Sequence, residues 1–205
     1  MGKVVEFRGV DNLVYAEVTN DDNEVSGGYT TGEVKSLAAV AEISKTTEVS
    51  SATKYYDNLP AIVINSEGSD EVTVTCAIPD LATYAEITGK TIDTTTGAMI
   101  DGEREPKYFA LGYRFKKTDG TYRYVWRLKG MFAIPDETSA TEDDGTDGNN
   151  MSLTYTGIST THKFTKGNKP AKAVVVDDTA DSKADISTFF DKVTDPDKLQ
   201  AKSTG

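Results

Sequence analysis

Two residue types that most often carry chemistry occur once each, His162 and Cys76. Zinc sites built from histidine and cysteine take three or four such ligands, so this chain alone does not supply one. A single thiol forms no intrachain disulfide. Any Ser–His–acid triad would have to use His162, which stands between Thr161 and Lys163 beside an expected strand end. No Gly-x-Ser-x-Gly elbow accompanies it. A structural or exposed histidine is therefore expected. Cys76 falls on the apolar side of an alternating segment and reads as a small core hydrophobe.

Carboxylates are more plentiful. Residues 136–150 contain Asp136, Glu137, Glu142, Asp143, Asp144 and Asp147 and no basic residue. Within them Asp143, Asp147 and Gly148 fit positions 1, 5 and 6 of a calcium loop. Gly145 at position 3 and Thr154 at position 12 do not, and the bidentate ligand is missing. The segment reads as a solvated acidic loop. Gly89-Lys90-Thr91 looks like the end of a phosphate-binding loop, but Tyr84 occupies the place of its first glycine. A helix cap followed by a polar turn explains it. Acid pairs for glycoside hydrolysis stay open on composition, although these acids cluster in turns. The stripe Tyr122, Tyr124, Trp126 could line a sugar-binding face, or form one side of a sheet packed on a core. No cofactor, metal or catalytic constellation emerges, so no enzyme is expected.

The elements that would position these residues are mostly strands. Leu13, Tyr15 and residues 16–18 open one, which stops at the acidic turn of residues 20–23. Residues 35–43 form a second, and Val72, Val74, Cys76 and Ile78 alternate in a third. Phe109, Leu111, Tyr113 and Phe115 alternate up to the turn Asp119-Gly120. Tyr122, Tyr124, Trp126 and Leu128 run back, and Gly130, Phe132 and Ile134 continue as far as Pro135. Phe109, Leu111, Tyr113, Tyr124 and Trp126 are expected to form the sheet core. Met151, Leu153 and Tyr155 start another strand, and residues 171–176 a late one. Asp80 suits a helix N-cap and Gly89 its stop. A second short helix is expected over residues 184–193, with Ile186, Phe189, Phe190 and Val193 as its apolar stripe. Residues 44–60 read as a long irregular connection carrying Tyr55 and Tyr56. The expectation is a mainly-β sandwich with one flanking helix. Residues 1–164 would form its domain, and residues 165–205 a C-terminal extension of the same domain or one packed on a neighbour.

The 205 residues suit one domain. The net charge of −11 argues against a general nucleic-acid binder and against docking on an anionic membrane. No apolar run approaches the roughly 20 residues of a spanning helix. The N-terminal residues have no apolar core of a secretory signal, so synthesis and folding in the cytosol are expected.

The order of these pieces resembles a known family. Phe7-x-Gly9-Val10-x-x-Leu13-x-Tyr15-Ala16-x-Val18 comes first, then residues 108–113, Tyr-Phe-Ala-Leu-Gly-Tyr. Gly120-x-Tyr122-Arg123-Tyr124-Val125-Trp126-x-x-Lys129-Gly130-x-Phe132-x-x-Pro135 follows, then the acidic loop and Leu153-x-Tyr155. Over residues 7–164 this resembles the phi13-type major tail proteins of long-tailed bacteriophages. Here the chain departs from the Leu-rich helix common in that family, with Thr83-Tyr84-Ala85 after Asp80. The resemblance implies a tail tube subunit made in the bacterial cytoplasm and ending in the virion tail. Copies would form stacked hexameric rings around the tape measure protein, with terminator and distal tail proteins at the ends. DNA would pass through without specific binding, and acids facing the lumen would repel it. Residues 44–60 match the family's ring-stacking loop, which makes Tyr55 and Tyr56 the expected inter-ring contacts. The tube of a contractile tail or tailocin is the alternative within the same fold, and a carbohydrate-binding sandwich the alternative outside it.

Overall fold

A computed structural model of the protein describes residues 4–22, 28–139 and 149–202. The chain runs β1 (Phe7–Asp21), β2 (Tyr29–Thr31), β3 (Lys35–Ser36), β4 (Val40–Tyr56), β5 (Leu59–Cys76) and α1 (Leu81–Thr88). It continues through β6 (Thr91–Ile92), β7 (Met99–Ile100), β8 (Phe109–Lys117), β9 (Tyr122–Phe132), β10 (Met151–Gly157) and β11 (Ala173–Asp177). Among the described residues strands make up 51% and helix 4%, so the mainly-β expectation holds.

One large antiparallel sheet carries the fold, in the order β2-β1-β8-β9-β10-β5-β4. β3 pairs with β1 and β11 with β9; β6 and β7 form a separate ribbon. The sheet curls until β1 comes against β4, and the Leu37 N–H donates to the Leu13 carbonyl at 3.0 Å. The layers of the fold therefore come from one curled sheet and what packs on it. Residues 35–43 do not form one strand. The chain leaves β1 after Ser36, tucks Leu37 into the core, and starts β4 at Val40.

Alternation along β8 and β9 fills both sides of the sheet. Phe109, Leu111 and Tyr113 enter one core with Tyr15, Val72, Cys76, Phe132 and Leu153. Trp126 enters the other with Ala16, Phe164, Val174, Phe189 and Val193, and half-buried Tyr124 packs against it. The expected core residues thus belong to two cores back to back. Two glycines let large rings lie flat on the sheet. A Cβ at Gly130 would stand 2.3 Å from Tyr155 Cζ, and one at Gly112 would stand 2.8 Å from the Trp126 ring. Tyr155 crosses Gly130 to donate to the Phe109 carbonyl at 2.8 Å.

α1 begins and ends where its local chemistry directs. The Asp80 carboxylate accepts from the Thr83 N–H at 2.9 Å. Gly89 closes the helix at φ 72°, where a side chain would be strained. Glu86 of α1 ties the helix to the sheet, accepting from the Tyr15 hydroxyl at 2.7 Å and pairing with Lys35 at 2.7 Å. Burial, then Glu86, raises the Tyr15 phenol above its ordinary range.

The second expected helix is absent. Ala184 instead bridges Ala201, and residues 187–193 form consecutive turns. The Phe189 carbonyl, which a helix would offer to the Val193 N–H, accepts from Trp126 Nε1 at 2.8 Å and from Thr194 Oγ1 at 3.0 Å. Asp185 caps the Ser187 N–H at 2.9 Å, a local bond that competes with helix formation. The segment still buries Phe189 and Val193, and β11 extends the large sheet through β9.

Candidate functional site: a projecting arm

Residues 44–60 are not an irregular connection. β4 and β5 pair from Val40↔Cys76 out to Tyr56↔Leu59. The chain reverses through Asp57 and Asn58, at φ 51° and 64°, the left-handed pair that a tight two-residue hairpin turn requires. Only the base is built into the body. β10 pairs with β5 from Asp70 to Cys76 and no further. Beyond it, residues 48–69 form an arm about 30 Å long at the usual rise per residue.

The arm places apolar side chains in water on both of its faces. Ala52↔Ile64, Lys54↔Ile62 and Tyr56↔Leu59 share one face. Thr53↔Val63 and Tyr55↔Pro60 share the other. Tyr55 is 65% exposed, Tyr56 59%, Leu59 67% and Val63 60%. Burying one such side chain stabilises by about 1.5–3 kcal/mol, so a bare two-sided arm is costly in an isolated chain. The expected contact residues Tyr55 and Tyr56 lie at the arm's tip on opposite faces. A single flat partner surface would cover only one of them.

The other residues singled out by type do not converge with the arm or with one another. Cys76 is fully buried at the inner end of β5, opposite Val40, where burial pushes its thiol up. The His162 ring lies edge-on to Phe164 at 5.0 Å and covers Gly28, whose added Cβ would fall 2.4 Å from the imidazole. The His162 backbone N–H donates to Asp21 Oδ1 at 2.9 Å. Burial opposes the charge of Asp21, but Lys129 at 2.5 Å and the backbone N–H groups of His162 and Thr161 hold its pKa below the usual range. These contacts make His162 part of the packing around β2. Glu142, Asp143, Asp144 and Asp147 lie outside the described residues, as does most of the calcium-like loop. Among the described residues no three metal-ligating side chains gather. Trp126 is fully buried with its N–H bonded to Phe189, so it offers no face to a sugar.

Two charged centres were not signalled by sequence. At one end of β9, Asp177 accepts from Arg123 at 2.6 and 2.8 Å and pairs with Lys117 at 2.9 Å. Arg123 first, then Lys117, lowers its pKa from 3.8 to about 2. A lowered folded pKa stabilises above the unfolded value and is lost as pH falls through the folded one. Stability from Asp177 is thus complete above about pH 4 and disappears toward pH 2. Asp177→Asn is expected to lower the thermal midpoint at pH 7 and to flatten its decline between pH 4 and 2. Unchanged acid slopes in the two proteins would remove the effect. The second centre is Asp70, at the root of the arm. Neither a comparison with protein-family models nor one with curated proteins finds a match to this chain.

Proposed function

We propose that this protein is a self-assembling structural subunit, the tube protein of a long-tailed phage, and that its arm is the contact between copies. The observation that carries this reading is the arm itself: some 30 Å of hairpin with uncovered apolar side chains on both faces. A surface of that kind belongs between partners. A second copy is the partner the resemblance points to, and the two-sided exposure suits a tongue clasped between two neighbours. The arm of one copy seated on a different surface of the next makes a heterologous contact, the type that closes into rings or propagates along an axis. β4, at the end of the sheet's pairing order, offers a further border for strand pairing between neighbours. In this reading hexameric rings stack around a tape measure protein and later conduct DNA. The charge of −11 supports the conduit, because acids in its wall would keep phosphates from binding.

Negative-stain microscopy of the concentrated protein tests the proposal. Rings or tubes are expected. A chain that stays monomeric at every concentration, and in the presence of preformed phage tail tips, would overturn it.

A further inference from the structure

The arm leaves the body at a charged knot. The Asp70 side chain is 5% exposed. It accepts from Arg127 Nη1 of β9 at 2.5 Å and from the Thr47 hydroxyl of β4 at 2.8 Å. Lys45 of β4 and Lys172, just before β11, each stand 3.8 Å away. One carboxylate therefore joins both strands of the arm's base, the centre of the sheet and the C-terminal segment. Immediately outward the ladder slips. Thr47 opposes Asp70, whereas Val49 opposes Glu67, so Gly68 and Ser69 bulge against Glu48. A bulge is where a hairpin bends most easily, because the extra residue is left unpaired. Lys172 reaches that point too: its ammonium donates to the Gly68 carbonyl and lies 3.9 Å from Glu67.

We infer that Asp70 and Lys172 are positioning residues that set the angle of the arm to the body, with the C-terminal segment acting as a strap across the bulge. The pairing β4·β5 alone gives the arm its shape but not its direction, since β10 supports β5 only as far as Asp70. Just beyond that residue, Lys172 ties the arm to the body through the Gly68 carbonyl and Glu67. An arm held at one angle meets neighbouring copies without losing orientational freedom on docking, which strengthens association. That consequence rests on the proposed assembly; the positioning itself does not.

Spin labels on the full chain test this in dilute solution. Cys76 is fully buried and escapes labelling. Labels go on Ser51→Cys in the arm and Lys116→Cys on the rim of β8, both exposed. Double electron–electron resonance is expected to give one narrow distance peak. Lys172→Met keeps the aliphatic stem and removes the charge, and it should abolish that narrow peak while leaving the body's thermal midpoint nearly unchanged. Asp70→Asn should do the same more strongly; if that variant does not fold, Lys172→Met decides. A peak that stays narrow in Lys172→Met overturns the inference, whether or not tubes form. A lost peak in a protein that never assembles supports the strap and counts against the tube reading alone.

Discussion

Replacing Trp126 by alanine is expected to cost about 3–5 kcal/mol and to lower the thermal midpoint by about 10–15 °C. Trp126 is fully buried on the sheet face that the C-terminal segment covers. Its ring lies on Gly112 and contacts the ring of Phe190, 5.7 Å away between centroids. Truncation leaves a cavity between the sheet and residues 184–193 that neither side fills, because the segment is fixed by its own turns. Trp126→Phe separates packing from hydrogen bonding. The Phe189 carbonyl keeps the Thr194 hydroxyl as a donor, so loss of the indole N–H costs only about 1 kcal/mol beyond the lost ring volume. Chemical denaturation of the three proteins measures both. A cost below 1 kcal/mol for Trp126→Ala would mean that the C-terminal segment does not rest on this ring.

Shortening the arm is expected to do the opposite, abolishing assembly while sparing the fold. Residues 50–66 can be replaced by an Asn-Gly turn, since Val49 and Glu67 already face each other across the ladder. The deletion takes away no residue of either core. Unfolding should therefore stay cooperative with a midpoint within a few degrees. Under the proposed assembly, rings and tubes should be lost in the shortened chain, and sedimentation velocity should give a monomer. The milder change Tyr56→Ser with Ile62→Ser tests one face alone and should weaken assembly without ending it. Tubes of normal length from the shortened chain would show that the arm is not the contact.

The helix and the central hairpin were legible because their signals are local. Asp80 and Gly89 carry their caps in their own side chain and backbone, and Asp119-Gly120 marks a turn between two clean alternations. The arm was not, for a physical reason. A strand with one buried face alternates, but β4 has neither face buried beyond its base, so its serines and threonines resemble loop. The turn residues Asp57-Asn58 were the available signal. The expected C-terminal helix failed the other way. Ile186, Phe189, Phe190 and Val193 have helical spacing, but the sheet claims the carbonyl that the helix needed. Asp70 was invisible as one of 33 acids, because its role comes from strands that are distant in sequence.

The two slips in the arm's ladder also bear on how an uncovered arm behaves in solution. A long ribbon with apolar side chains on both sides has the makings of a cross-β fibril, in which identical segments stack flat and in register. The shift at Glu48 and the second between Lys54 and Tyr55 twist the ribbon and put its strands out of phase. Pro60 adds a position with no N–H to give. The two slips thus let the arm keep its apolar surface in water while resisting amyloid growth, and straightening either one is the change that would expose it.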